Sequence, residues 1–142
     1  MQTDPLTDAL GIANLLVERR VSDNLAVYAG PSLKLYDSLL EDVPPEESYR
    51  AYGVEMGVRW FWSGTAPTGW WTGLRATIAQ VTHEDSSSPG GYISALGGYA
   101  WAFDGRWVLS LALGISYFDY STDDAGVDGV LPGAHTGIGF AF

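Results

Sequence analysis

The chain has 142 residues, a formal net charge of −10, no cysteine, 18 glycines, and 6 Trp, 8 Tyr and 5 Phe. This length suits one domain. The lack of cysteine excludes a disulfide scaffold or a thiol metal site, and the acidic balance argues against a nucleic-acid partner, which needs a basic stripe. There is no run of ~18 apolar residues to form a transmembrane helix. Met1-Gln2-Thr3-Asp4 has neither the basic start nor the apolar run of a signal peptide, so an exported protein of this sequence is expected as a mature or recombinant chain with an added Met.

The first segment, Gln2–Ala9, has a poor pattern, with Asp4, Pro5 and Asp8 inside it. It reads as a short, irregular first strand turning at Leu10-Gly11-Ile12, with a helix over Leu6–Val17 as the alternative. Ala13–Val21 reads as a strand with Leu15 and Val17 on one face and Leu16, Glu18 and Arg20 on the other. After the turn Ser22-Asp23-Asn24, Leu25–Tyr36 alternates Leu25, Val27, Ala29, Pro31, Leu33 and Leu35 against Ala26, Tyr28, Gly30, Ser32, Lys34 and Tyr36. Pro31 cannot donate to a ladder and predicts a bulge or bend.

Tyr49–Trp62 places Tyr52, Val54, Met56, Val58, Trp60 and Trp62 on one face and Gly53, Glu55, Gly57, Arg59 and Phe61 on the other. Gly69–Val81 places Trp70, Thr72, Leu74, Ala76 and Ile78 opposite Trp71, Gly73, Arg75, Thr77 and Ala79. Ser63–Thr68 joins the two as a compact turn. Tyr92–Phe103 puts Ile93, Ala95, Gly97, Tyr99, Trp101 and Phe103 on one face. Asp104-Gly105 is a two-residue hairpin turn that tolerates positive φ.

Arg106–Tyr120 is the strongest strand. Trp107, Leu109, Leu111, Leu113, Ile115 and Tyr117 form an unbroken apolar face, and Val108, Ser110, Ala112, Gly114, Ser116 and Phe118 a mostly small one. The period is 2, not 3.6. The chain closes on His135–Phe142, where Ile138, Phe140 and Phe142 oppose His135, Gly137, Gly139 and Ala141. One face is large and apolar and the other almost bare, as if it looked into a crowded lumen.

This terminal pattern resembles the C-terminal targeting strand of bacterial outer-membrane β-barrels, with His135, Gly137, Phe140 and Phe142 in its four slots. The whole chain looks like the small eight-stranded outer-membrane proteins of the OmpA transmembrane-domain, OmpX and OmpW type, departing from them in its short, polar first strand. The expected fold is all-β: a closed up-and-down antiparallel transmembrane barrel of eight strands, forming one domain over residues 1–142. Eight follows because such barrels have an even strand number and an open edge in lipid leaves backbone groups unpaired.

The aromatic residues favour the same reading. Trp60, Trp62, Trp70, Trp71, Trp101 and Trp107 flank two turns, whereas Tyr36, Tyr49, Tyr52, Tyr92, Tyr117 and Tyr120 sit at the opposite strand ends. Two rims of this kind match the girdles of a membrane barrel. The expected connections are short periplasmic turns on the Trp side and longer extracellular loops, Asp37–Ser48, Thr82–Gly91 and Ser121–Val130, on the Tyr side. These loops carry most of the acidic charge. Solvation accounts for it, with weak divalent-cation binding as the sharper alternative, although no loop has calcium-motif spacing.

Glu18, Arg20, Lys34, Glu55, Arg59 and Arg75 all fall on the inward face. They are expected to form a charge network in a lumen that side chains fill, since eight strands leave just that width. Glu18 and Glu55 could be read as a catalytic pair, but their basic neighbours favour a structural ion network. His83, beside Glu84, Asp85 and Ser86–Ser88, supplies the letters of a Ser-His-acid site. A loop offers no preorganised oxyanion donors, and adjacent residues point apart. No enzyme, cofactor or metal is therefore expected. The expected role is structural or surface-interacting, with a narrow porin-like channel or a soluble lipocalin-like carrier as alternatives; an engineered barrel is disfavoured by the irregular loops. The resemblance implies localisation in the outer membrane of a Gram-negative bacterium. It also implies lipid and the barrel-assembly machinery as partners, the latter through the C-terminal strand, and the acidic loops as the surface for any ligand.

Overall fold

The computed structural model describes residues 1–5, 12–34, 50–83, 86–104, 106–121 and 126–140. The fold is all-β. Its strands are β1 (Gln2–Thr3), β2 (Ile12–Asn14), β3 (Val17–Arg20), β4 (Leu25–Lys34), β5 (Arg50–Phe61), β6 (Gly69–His83), β7 (Ser86–Phe103), β8 (Trp107–Ser121) and β9 (Gly126–Phe140). All pair antiparallel in one sheet, in the order β1-β9-β8-β7-β6-β5-β4-β2, with β3 also on β4.

The sheet curls into a nearly closed barrel, and the N-terminus brings its two ends together. Gln2 is in register with Gly139 of β9 on one side. On its other side it exchanges both backbone hydrogen bonds with Leu16, each 2.8 Å. The expected irregular first strand is thus two residues long among the described residues. Residues 6–11, with the expected turn at Leu10-Gly11 and most of the helical alternative, lie outside them, while 12–14 and 17–20 are strand rather than helix.

Three sequence expectations need correcting. Pro31 makes no bulge. The register between the two strands is the same before it (Asn14↔Ser32) and after it (Val17↔Ala29). Pro31 still accepts a hydrogen bond from the Leu15 N–H at 3.2 Å. It cannot return one, and the ladder lapses opposite it, which divides β2 from β3.

The Tyr-side loops are also shorter than expected. β6 and β7 stay paired out to His83↔Ser86, and β8 and β9 out to Ser121↔Gly126. The connections are therefore 84–85 and 122–125, the first of them shorter than the turn at 62–68. The expected boundaries followed hydrophobic alternation. A hairpin standing clear of a core keeps its backbone ladder without alternation, so the pattern ends before the strand does. Asp37–Ser48 lies outside the described residues. The β7–β8 hairpin is one residue longer than expected: Phe103 is in register with Trp107, so the connection is 104–106, with positive φ at Asp104 (51°) and the Arg106 N–H donating to the Phe103 carbonyl at 3.1 Å.

Inside and outside follow the period-2 parity of the strands. Leu113 is 74% exposed and Ile78 66%, and Val54, Met56, Leu74, Ile93 and Ile115 face outward with them. Glu55 is 0% exposed and Arg59 1%, enclosed with Leu16, Ala26, Phe61, Ser94 and Ser110.

Candidate functional site

Among the described residues, the lumen is the place where charged side chains converge from distant parts of the chain. Its basic members rise from neighbouring strands, Arg59 on β5 and Arg75 on β6. Small residues make room for them. A Cβ at Gly57 would run into the ring of Tyr28. With glycine there, Tyr28 can lie beneath the Arg59 guanidinium, 4.9 Å from its ring centroid, while Trp71 takes another face at 4.7 Å. Arg75 sits 5.2 Å from the Tyr92 centroid. Aromatic faces suit cations taken out of water.

Carboxylates complete the cluster. Arg59 Nη1 donates to Glu18 Oε2 at 2.8 Å, and Gln2 Nε2 donates to the same oxygen at 3.1 Å. Arg75 Nη1 donates to Asp4 Oδ2 at 3.2 Å and lies 3.9 Å from Glu55 Oε1. Glu55 Oε2 accepts from Asn14 Nδ2 and from the Tyr92 hydroxyl, both at 3.2 Å. Burying charges is costly unless they are paired and hydrogen-bonded, and here each carboxylate meets several donors.

His135 joins the two halves. Its Nε2 lies 2.7 Å from Arg59 Nη2 and its Nδ1 2.6 Å from Asp4 Oδ2. A guanidinium can only donate, so Nε2 is the acceptor and Nδ1 carries the proton given to Asp4. Arg75 Nη1, 3.3 Å from that same Nδ1, is then a second donor facing a donor, and its bond goes to Asp4 instead. Asp4 Oδ1 accepts from the Thr136 N–H at 3.1 Å and its hydroxyl at 2.7 Å. The Asp4 side chain thereby takes over the β9 edge just where β1 ends.

The structure places the sequence-predicted network residues as follows. Glu18, Glu55, Arg59 and Arg75 come together. Arg20 does not join them: its side chain is 49% exposed at the end of β3 and pairs with Asp23 in the adjacent turn. Inward parity at the last residue of a strand leads to the rim, where solvent and a turn carboxylate compete for it. The Lys34 side chain lies outside the described residues. Asp4, Asn14 and Gln2 are additional members. Asn14 and Glu18 share strand parity, a signal that was available. Asp4 had none, because its partners lie 71 and 131 residues away.

The aromatic rim is corrected at two positions. Trp71 is 2% exposed and Tyr92 9%; both belong to the lumen, Trp71 edge-on to His135 at 6.2 Å. Strand parity decides this, because a rim preference cannot turn a side chain through the sheet. Trp60, Trp62, Trp70, Trp101 and Trp107 do face outward, as do Tyr52 and Tyr117. They form contacts around the turn end: Trp62 with Trp70 at 6.1 Å, Trp70 with Tyr99 at 5.2 Å, Tyr99 with Trp101 at 4.8 Å, and Trp107 with Phe140 at 5.5 Å. Tyr36 and Tyr49 lie outside the described residues. In the terminal strand His135 and Gly137 face inward and Phe140 outward; Phe142 lies outside the described residues.

The arrangement turns most of its polar groups on one another, while Glu18 Oε1, Glu55 Oε1, Arg59 Nε and Arg75 Nε are buried without a hydrogen-bond partner among the described residues. His135 Nε2, the atom that would take a proton from a nucleophile, faces a guanidinium. Ser94 and Ser116 hydrogen-bond each other at 2.7 Å. Among the described residues no group of three His, Asp or Glu side chains could hold a metal ion. His83's side chain and residues 84–85 lie outside the described residues.

Fold and lumen together define a class by architecture: a small antiparallel barrel, apolar outside and ionic inside. No family model, curated protein or solved structure matches this chain.

Proposed function

We propose that this chain is an integral outer-membrane β-barrel with a side-chain-filled lumen, acting as a structural or surface-interaction protein rather than a catalyst. The observation that carries the reading is the inverted distribution of its side chains. An outer face of exposed aliphatics from β4 to β9 is a contiguous apolar surface far beyond what soluble monomers present. Hydrocarbon is the solvent in which it is stable, and a sheet there must close, since unpaired backbone groups cost several kcal/mol each. The Trp residues at the turn end match an interfacial belt, where an apolar body and a polar edge are both accommodated. A lipocalin-like carrier needs the opposite faces, with apolar residues lining the cavity. A channel needs a continuous water path, whereas Arg59, Arg75, His135, Trp71 and Phe61 are packed across the interior.

The test is refolding from urea into lipid vesicles and into plain buffer, read by circular dichroism and by gel mobility with and without boiling. The expected outcome is a β spectrum only with lipid, with an unboiled band that shifts on heating, and no conductance steps in planar bilayers. A monomeric, cooperative β fold in plain buffer refutes the membrane reading. Regular conductance steps refute the filled lumen.

A further inference from the structure

A cation stands on the outer face near one strand end. Among the strand residues whose side chains are described, Arg19 is the only charged one at an outward position: it is exposed, in register with outward-facing Val27, and it is the last outward residue of β3. It has no ion pair among the described residues, unlike its neighbour Arg20. Beside it lies a shallow apolar groove of about 520 Å³, lined by Val27, Ala29, Met56, Leu74 and Ala76 as well as Arg19 itself. The small side chains of Ala29 and Ala76 lower its floor between larger neighbours.

We propose that this groove and Arg19 form a site for one anionic diacyl phospholipid, an acyl chain lying along the groove and the headgroup phosphate on the guanidinium. The inference rests on the membrane reading above. A lone cation is costly against hydrocarbon, but one residue from a strand end it reaches the headgroup layer while its stem stays on apolar surface. A guanidinium matches the planar, paired oxygens of a phosphate diester. The exposed rings of Trp60 and Trp62 at the same end of β5 fix that end at the interface.

The experiment is lipid retention by the folded protein, measured by native mass spectrometry after folding into vesicles of equal phosphatidylglycerol and phosphatidylcholine. One interfacial cation should favour the anionic lipid by about fivefold. The preference should vanish in Arg19→Gln and persist in Arg106→Gln, whose side chain is exposed in the β7–β8 turn away from the groove. Equal retention of the two lipids by the parent chain, or an unchanged preference in Arg19→Gln, overturns the site. Loss of the preference in Arg106→Gln as well overturns it in favour of diffuse surface charge. Failure of the parent to fold in either lipid, seen as the absence of a heat-shifted band, overturns the membrane reading and this inference with it.

Discussion

Replacing Asp4 tests how the barrel is closed. Its carboxylate accepts from Arg75 Nη1 (3.2 Å), His135 Nδ1 (2.6 Å), Thr136 N (3.1 Å) and Thr136 Oγ1 (2.7 Å), and its side chain is fully buried. Asp4→Ala leaves the Arg75 guanidinium with only the Glu55 carboxylate at 3.9 Å and the His135 ring N–H facing no carboxylate, and it uncovers the β9 edge. Removing one partner of a buried ion pair costs about 3–5 kcal/mol. Asp4→Asn keeps an oxygen for Thr136 but turns an amide N–H₂ toward two donors. It loses charged hydrogen bonds worth about 1.5–3 kcal/mol, less than alanine costs. With a urea slope of about 2 kcal/mol per M, the alanine midpoint should fall by roughly 2 M and the asparagine midpoint by about half that. The assay is urea unfolding of the folded protein in detergent, followed by tryptophan fluorescence and the heat-shifted band. An alanine midpoint within about 0.3 M of the parent would falsify the closure described here, because the N-terminus would then not be anchored in the lumen.

Three further perturbations separate parts of the account. Glu55→Ala removes the acceptor shared by Asn14 and the Tyr92 hydroxyl and the second carboxylate beside Arg75, and should lose about 3–5 kcal/mol, against about 1–2 for Glu55→Gln, which retains an acceptor; equal losses in the same urea assay would show that charge plays no part. A Cβ at Gly114 would strike the Ala95 carbonyl, whereas at Gly97 the nearest atom is 3.8 Å away. Gly114→Ala should therefore cost about 1–3 kcal/mol and Gly97→Ala almost nothing, and the reverse order would contradict the register of β7 and β8. Leu113→Lys on the outer face should cost roughly 2–4 kcal/mol in vesicles, while a tolerated lysine would place that face in water.

The outer and inner faces of β5, β6 and β8 were legible from alternation alone, because a side chain on a strand has only two directions to choose from. The same parity placed Glu18, Glu55, Arg59, Arg75 and His135 together in the lumen. It failed where a second signal was allowed to compete with it. Trp71 and Tyr92 had inward parity, yet proximity to a strand end suggested a rim, and the steric rule prevailed over the statistical preference. Strand ends were legible only as far as burial continued. Beyond Val81 and before Tyr92 the polar hairpin pairs without alternating, so the β6 and β7 ladders outran the pattern. Asp4 was illegible for a different reason. It resembled a strand breaker, and it does end β1, but its function in the fold comes from residues brought to it by barrel closure. No local pattern around residue 4 reports on His135 or Arg75.

The most direct test of the central claim uses the absence of cysteine. Single cysteines at positions 109, 111, 113 and 115 of β8, each carrying a nitroxide, can be compared in folded protein in vesicles for collision with oxygen and with a water-soluble nickel reagent. The account predicts high oxygen and low nickel accessibility at all four positions, with the greatest contrast toward the middle of the strand at 113. Nickel accessibility at 113 equal to that of a label in the Asp104 turn would contradict it and place this face in water.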